Sequence, residues 1–145
     1  MNGIKMSDCR FYVNEDTRTV VCVIPDTKHM VDDFISEHFN FPELDLAVYG
    51  RLCKAIRMPQ SFMGKAVCAP EDEWDEETGR IIAFAKAKDK CYRSFFKRAN
   101  LFVQSVDKRL GDMIETFNNF GLKLEAKREA LEKIIEGKIK KEGDA

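Results

Sequence analysis

Residues 95–124, FFKRANLFVQSVDKRLGDMIETFNNFGLKL, carry the pattern that decides the fold of this chain. Apolar side chains recur here at steps of three and four residues, and this near-heptad pattern predicts a long amphipathic helix. Gly111 and Gly121 each cost roughly 1 kcal/mol inside a helix, so either glycine is a candidate position for a bend. The repeating apolar positions are Phe95, Ala99, Phe102, Val106, Leu110, Met113, Phe117, Phe120 and Leu124.

This apolar face can be buried against either the chain's own sheet or another subunit. A helix of about 40 residues is about 60 Å long, which is more than a small sheet can cover. We therefore expect self-association into a homodimer or a larger homo-oligomer.

Strand patterns lie on the N-terminal side of this helix. Residues 10–13 and 18–24 are rich in β-branched and aromatic residues, and the turn-forming residues 14–17 between them predict a β-hairpin. Since the second strand is apolar on both faces, we expect it to be covered on both sides. Residues 61–68 predict a third strand, although Gly64 weakens that prediction.

Two helical patterns separate the hairpin from the third strand. Apolar residues from Val31 to Phe39 share one helical face, and a second pattern begins at Pro42 and stops before Pro59. Together these signals predict an α+β fold in a single domain over residues 1–145. Its expected parts are a small antiparallel sheet (9–24 and 60–68), an inserted helical segment (26–58), long C-terminal helices (70–135) and a frayed tail (136–145).

The composition is that of a globular chain without an export or membrane signal. The 145 residues are 44% hydrophobic and 34% charged, and the net charge of −1 gives no overall attraction to nucleic acid or anionic lipid. The five cysteines include no C-x-x-C pair, which indicates free thiols in a reducing compartment. The apolar runs are far shorter than the ~20 residues that span a bilayer. We therefore expect a cytoplasmic protein that does not contact a membrane.

Residues 71–77 form an acidic cluster around Trp74. Neighbouring carboxylates can bind a divalent cation, but the glycine and the alternating ligands of a calcium loop are absent. Asp75 is a suitable N-cap, and Glu76 and Glu77 suit the positive end of a helix dipole. We therefore favour a solvated helix N-terminus, with Trp74 packed inward, and expect no metal site.

A row of cations follows the acidic cluster on one helical face. Lys86, Lys90, Arg93 and Lys97 are spaced at i, i+4, i+7 and i+11, with Tyr92 among the aromatic residues between them. Cations beside aromatic rings suit a ligand with phosphates and a base, because charge holds the phosphate and the ring stacks on the base. A solvated face whose aromatic rings turn into the core explains the same pattern, and both interpretations stay open.

No pattern typical of a catalytic site is present in the sequence. It lacks a Gly-rich phosphate loop, the H-E-x-x-H motif and the G-x-S-x-G motif. His29 lies near a turn, and His38 lies on an apolar helical face, where we expect a core-edge histidine rather than a general base. The sequence therefore predicts a protein that is not an enzyme and holds no cofactor.

A further series of motifs begins in the third predicted strand. Gly64-Lys-Ala-Val-Cys68 is followed by Pro70-Glu-Asp-Glu-Trp-Asp75, by Glu77-x-Gly79 and by Ala83-Phe-Ala-Lys86. A strand that ends in Cys, an acidic turn, a glycine and an A-x-A-K helix in this order resemble the Thoeris anti-defence sponge family of the first type, which occurs in phages and prophages. The resemblance covers roughly residues 9–24 and 60–100.

The resemblance implies a dimer or higher oligomer that binds cyclic ADP-ribose isomers or cyclic oligonucleotides, which are bacterial immune signals, and sequesters them intact. It also implies that Phe84 stacks on a base. The chain departs from the family in the insertion 26–58 and in residues 88–91, which replace a G-N-K-G-like turn. Arg57 and Arg109 are candidate phosphate ligands by their chemistry and placement. The row of cations adds Lys90, Tyr92 and Arg93.

Two functions from different classes follow as expectations. The leading hypothesis is a phage or prophage anti-defence protein that binds a cyclic nucleotide signal without cleaving it. The alternative is a phage-encoded coiled-coil adaptor or structural module that binds a partner protein. The near-zero net charge disfavours a third interpretation, single-stranded nucleic-acid binding.

Overall fold

A computed structural model describes residues 3–38 and 54–143 of the chain. The chain divides into two units, residues 1–103 and residues 104–145. The predicted α+β fold, with a small antiparallel sheet and a long C-terminal helical part, is confirmed, and that helical part is one continuous helix. The described elements are a 3₁₀ turn (Met6–Asp8), strands β1 (Arg10–Asn14), β2 (Thr19–Ile24) and β3 (Phe62–Val67), and helices α1 (Met30–His38) and α2 (Glu76–Gly143).

The predicted hairpin is formed by β1 and β2, with Phe11 opposite Cys22. Its turn closes because Asn14 Oδ1 accepts a hydrogen bond from Thr17 N at 3.0 Å, which is the local bond that makes asparagine a turn residue. Arg18 completes the turn in the left-handed region, with φ 50°.

The sheet has the strand order β1-β2-β3, and both pairings are antiparallel. Alternate residues of β2 are buried, whereas Val21 and Val23 on the other face are only half-buried. That other face also carries Tyr12, Met63 and Val67, which are exposed. The expectation that β2 is covered on both sides is therefore wrong for the single chain, because alternate strand residues point to opposite faces and one face stays open.

Small residues let α2 approach the covered face of the sheet closely. A Cβ added at Gly64 would lie 2.1 Å from the carbonyl oxygen of Ala83 and 2.5 Å from the amide nitrogen of Ala87. A Cβ added at Gly79 would lie 2.7 Å from Cγ2 of Val20. The glycine that weakened the strand prediction is thus the contact point between strand and helix.

The first helix completes the core of the first unit. Val31 and Ile35 of α1 are buried, and the ring of Phe34 meets the ring of Phe95 edge-on, with centroids 5.5 Å apart. His38, expected at the edge of the core, is exposed and stacks on Phe34 with ring centroids 4.4 Å apart. Most of the helical pattern predicted after Pro42 lies outside the described residues, and residues 54–56 are helical.

The described part of the second unit, residues 104–143, is helical throughout. The helix continues through Gly111 and Gly121, so neither glycine interrupts it. It also extends to Gly143, through most of the tail that the sequence predicts to fray. Good helix formers and the i,i+4 spacing of Glu136 and Lys140 favour this extension.

Candidate functional site

The predicted ligand-binding residues occupy several parts of the fold. Arg57 lies before β3, where its carbonyl oxygen accepts a hydrogen bond from Arg98 Nε at 2.7 Å. Arg109 lies on the part of α2 that belongs to the second unit. The remaining predicted residues, on the α2 segment of the first unit, are Phe84, Lys90, Tyr92 and Arg93.

Two of these residues share a cation. The Lys88 ammonium nitrogen lies 5.4 Å from the ring centroid of Phe84 and 5.6 Å from that of Tyr92, because the three residues follow one another at i, i+4 and i+8. Both distances fall within the range of a cation–π interaction. The Tyr92 hydroxyl also accepts a hydrogen bond from Ile4 N at 3.3 Å. We call Phe84, Lys88 and Tyr92 the cation–aromatic cluster.

The lysines of the predicted cation row bond to the sheet. Lys90 Nζ donates to the carbonyl oxygen of Met63 at 2.9 Å, and Lys86 Nζ donates to that of Lys65 at 3.1 Å. These carbonyls belong to β3, an edge strand of the described sheet, and within that sheet its outward backbone groups have no ladder partner. In the single chain, Lys86 and Lys90 therefore provide hydrogen-bond donors for the outward carbonyl oxygens of β3.

Arg93, in the same row, bonds within its own helix. Its guanidinium forms an ion pair with Asp89, one turn earlier, at 2.9 Å, and its side chain is 79% exposed. Exposed pairs of this kind contribute little to stability, so Arg93 can exchange Asp89 for another anion at small cost.

Hydrogen bonds within the chain hold the loop between β3 and α2. The Arg18 guanidinium donates to the carbonyl oxygens of Ala69 at 3.0 Å and Pro70 at 3.1 Å, and also to that of Asp72. The backbone N–H of Cys68 donates a hydrogen bond to the carbonyl oxygen of Arg18 at 2.9 Å. The loop is thereby fixed to the hairpin turn.

The acidic cluster begins α2, as predicted. Asp75 Oδ1 accepts a hydrogen bond from Glu77 N at 3.1 Å, and Asp75 Oδ2 accepts one from the Thr78 hydroxyl. These bonds, that from Thr78 foremost, lower the pKa of the Asp75 carboxyl. Trp74 is half-buried. Among the described residues, no group of three His, Cys, Asp or Glu side chains is arranged to hold a metal ion.

The buried thiols are poor nucleophiles at neutral pH. Burial raises the pKa of the Cys22 thiol to about 12 and that of the Cys91 thiol to about 11. Burial also raises the pKa of Cys9. Since the thiolate is the reactive form, these raised pKa values lower the reactivity of the three thiols at neutral pH.

The second unit presents a line of exposed apolar side chains, here called the C-terminal stripe. It repeats at steps of three and four residues, with Arg128 filling the turn between Leu124 and Leu131. Phe117 is 75% exposed, whereas Phe102, in the same repeat but in the first unit, is 4% exposed. The sequence interpretation ended at Leu124 and missed the last three members, which follow the same spacing. The stripe consists of Leu110, Met113, Phe117, Phe120, Leu124, Leu131, Ile135 and Ile139.

Comparisons with known proteins add no assignment to these features. The chain matches no protein-family model, no curated protein and no solved structure. In the part of the chain that the structure describes, no helix is both long and apolar enough to cross a membrane.

Proposed function

We propose that this protein is a non-enzymatic interaction module that binds a helical partner through the C-terminal stripe. The observation that carries the proposal is the exposure of large apolar side chains along one face of residues 104–143. Covering one such side chain contributes roughly 1.5–3 kcal/mol. Helices without tertiary contacts are only marginally stable in water, so a partner on the stripe also stabilises the helix itself.

The predicted cation row supports this function better than it supports a phosphate site. Lys86 and Lys90 already bond to carbonyl oxygens of β3, and Arg93 already has an anionic neighbour in Asp89. Moving the lysines to a phosphate would leave backbone acceptors of the sheet edge without these donors.

Matched variants test the module. Phe117→Glu places a charge in the C-terminal stripe, whereas Leu122→Glu changes an equally exposed apolar residue on another face of the same helix. Light scattering at micromolar concentration detects self-association, and affinity capture from the cells that make the protein detects other partners. We expect Phe117→Glu, but not Leu122→Glu, to lose the bound species. A monomeric wild type that captures nothing sensitive to Phe117→Glu would overturn the proposal.

The cation–aromatic cluster favours a second candidate function, sequestration of a cyclic nucleotide immune signal by a phage or prophage anti-defence protein in the host cytoplasm. Lys88 lies over the rings of Phe84 and Tyr92, and Arg93, which follows Tyr92 in the sequence, is highly exposed. Together these groups offer a stacking surface and positive charge, which a nucleotide with phosphates requires. The sequence resemblance points to the same ligand class.

Calorimetry with cyclic ADP-ribose isomers and a panel of cyclic di- and trinucleotides tests this second function. If Phe84 stacks on a base, Phe84→Ala should lose roughly 1–3 kcal/mol of binding free energy. Phe96→Ala removes an exposed ring elsewhere on α2 and serves as the control. Ligand released by heating should be chemically unchanged. Absence of heat and of any melting shift with every compound would exclude the sponge.

A further inference from the structure

The charges beside the C-terminal stripe are sorted by sign. At about 100° per residue, the glutamates from 125 to 136 fall on one side of the stripe, and four of the seven lysines in residues 104–143 fall on the other, whereas Glu142 falls on the line of the stripe itself. The far face of the helix carries further lysines, such as Lys133, and the basic side includes one acid, Asp112. We call Glu125, Glu129, Glu132 and Glu136 the acidic flank, and Arg109, Lys123, Lys127 and Lys138 the basic flank.

The direction of a partner helix decides which flanks meet. Two copies of a helix that pair in parallel bring the left flank of one beside the right flank of the other, as the e and g positions of parallel coiled coils do. Two copies that pair antiparallel bring the left flank of one beside the left flank of the other, and the two right flanks together. We call the line along which the two stripes meet the seam. Parallel, in-register pairing sets the acidic flank of one copy against the basic flank of the other on both sides of the seam. Antiparallel pairing instead sets acidic against acidic and basic against basic.

We propose that the C-terminal stripe binds the same stripe of a second copy of this chain, in parallel and in register. This inference depends on the proposed function, because it names the partner of the proposed interaction surface. The apolar residues provide the contact area, and the sorted flanks select both the partner and its direction. A copy in register places Lys123 and Lys127 at the same height as the acidic flank of its neighbour.

Arg128, the charged residue within the stripe, fits this arrangement. Its guanidinium bonds to Glu125 at 2.9 Å and lies 3.7 Å from Glu132, so each copy brings its own counter-charges to the seam. Parallel pairing places both arginines at one level together with the glutamates of both copies. A single polar position in an apolar seam is a known device for fixing register.

Cysteine cross-linking of the full chain tests direction. Leu110→Cys and Ile139→Cys place a thiol near either end of the stripe at positions exposed in the single chain, so neither change disturbs the core. Parallel pairing predicts 110–110 and 139–139 disulfides when each variant is oxidised alone. Peptide mass spectrometry separates these products from any that involve the native cysteines, and the wild-type chain is the background control.

Each outcome decides the inference. Same-position disulfides in both variants support it. A 110–139 disulfide that forms only when the variants are mixed would show antiparallel pairing and overturn it. A monomeric wild type without cross-links would exclude a second copy as the partner, and the proposed function would still stand if a Phe117-dependent partner were captured.

Reversing the charge of residues in one flank tests the electrostatic role of the flanks separately from the cross-linking experiment. Lys123→Glu with Lys127→Glu cancels the net positive charge of the basic flank and sets two glutamates against the acidic flank of the neighbour, so we expect the dissociation constant of the dimer to rise about tenfold or more at low salt. Lys108→Glu with Lys133→Glu makes the same change in net charge on the far face and should leave the constant nearly unchanged. High salt should reduce the difference between the two variants. Equal effects of both pairs would overturn the role of the flanks.

Discussion

The two parts of α2, residues 76–103 and residues 104–143, share an apolar periodicity but differ in the size of the residues that repeat. Up to Cys91 the buried positions of α2 are small, and Ala83 and Ala87 lie against the backbone of Gly64 in β3 at contact distance. Beyond Leu110 the repeating positions are large and exposed. Periodicity therefore identifies the helix, whereas residue size indicates what covers it. Small residues allow close packing on a strand, and large ones require the wider groove beside another helix.

The largest expected effect comes from the same substitution made in each part of the fold. Gly64→Ala forces a methyl group into the backbone of Ala83 and should destabilise the first unit by more than about 4 kcal/mol. Gly111→Ala meets nothing within 4 Å and should stabilise its helix by about 0.5–1 kcal/mol. Urea unfolding measures both. A wild-type midpoint for Gly64→Ala would show that α2 does not lie on β3 as described.

Replacing one phenylalanine of each unit with alanine tests the same difference between the two parts of α2. Phe102→Ala leaves a cavity in the core of the first unit and should cost roughly 3–5 kcal/mol. Phe117→Ala should leave amide exchange in residues 1–103 unchanged, because its ring is exposed in the single chain. Hydrogen exchange resolved along the sequence provides the measurement. Loss of protection in the first unit of the Phe117→Ala variant would contradict the division at residue 103.

Removing the lysines that bond to β3 should have a smaller effect. Lys86→Ala with Lys90→Ala deletes two donors to exposed carbonyl oxygens and should lower stability by about 1–2 kcal/mol in total. Lys123→Ala with Lys133→Ala removes two lysines from the second unit and should leave the first unit unchanged. Thermal melting of the double variants tests this difference. Identical melting curves would mean that the edge carbonyls are equally well served by water.

The smallest expected effect concerns pH at the start of α2. The Asp75 carboxyl has a pKa below its ordinary value of 3.8, so its stabilising contribution is present above about pH 4 and is lost as the pH falls through the lowered pKa. Asp75→Asn keeps a good N-cap without the titrating group. The melting temperature of the first unit should therefore fall less for Asp75→Asn than for wild type between about pH 5 and about pH 3. Parallel pH profiles would contradict this assignment.

Local signals in the sequence predicted much of the fold. The turn at Asn14, the third strand (61–68 expected, Phe62–Val67 observed) and the N-cap at Asp75 each depend on neighbouring residues, and the structure has all three. The contact of Gly64 with α2 was not predictable, because it depends on how closely two distant elements approach. The open face of the sheet was missed for the same reason.

The candidate site was predicted in part. Phe84, from the family resemblance, and Tyr92, from the row of cations, were both predicted as binding residues, but their shared contact with Lys88 was not predicted. Two of the four cations in the predicted row, Lys86 and Lys90, instead bond to carbonyl oxygens of β3. The motif behind the family resemblance has a similar explanation, since Gly64, Gly79 and Ala83 lie where strand and helix touch. The motif therefore reflects the packing of α2 on the sheet at least as much as the binding of a ligand.

The position of the division at residue 103 has a consequence for biosynthesis. A ribosome makes the chain from its N-terminus, and units that emerge first generally fold first. Residues 1–103 hold all the strands of the described sheet and all the buried apolar side chains of the described residues, so this unit can fold before the C-terminal stripe has left the ribosome. The C-terminal stripe thus emerges after the first unit, when that unit no longer exposes core residues that could bind the stripe.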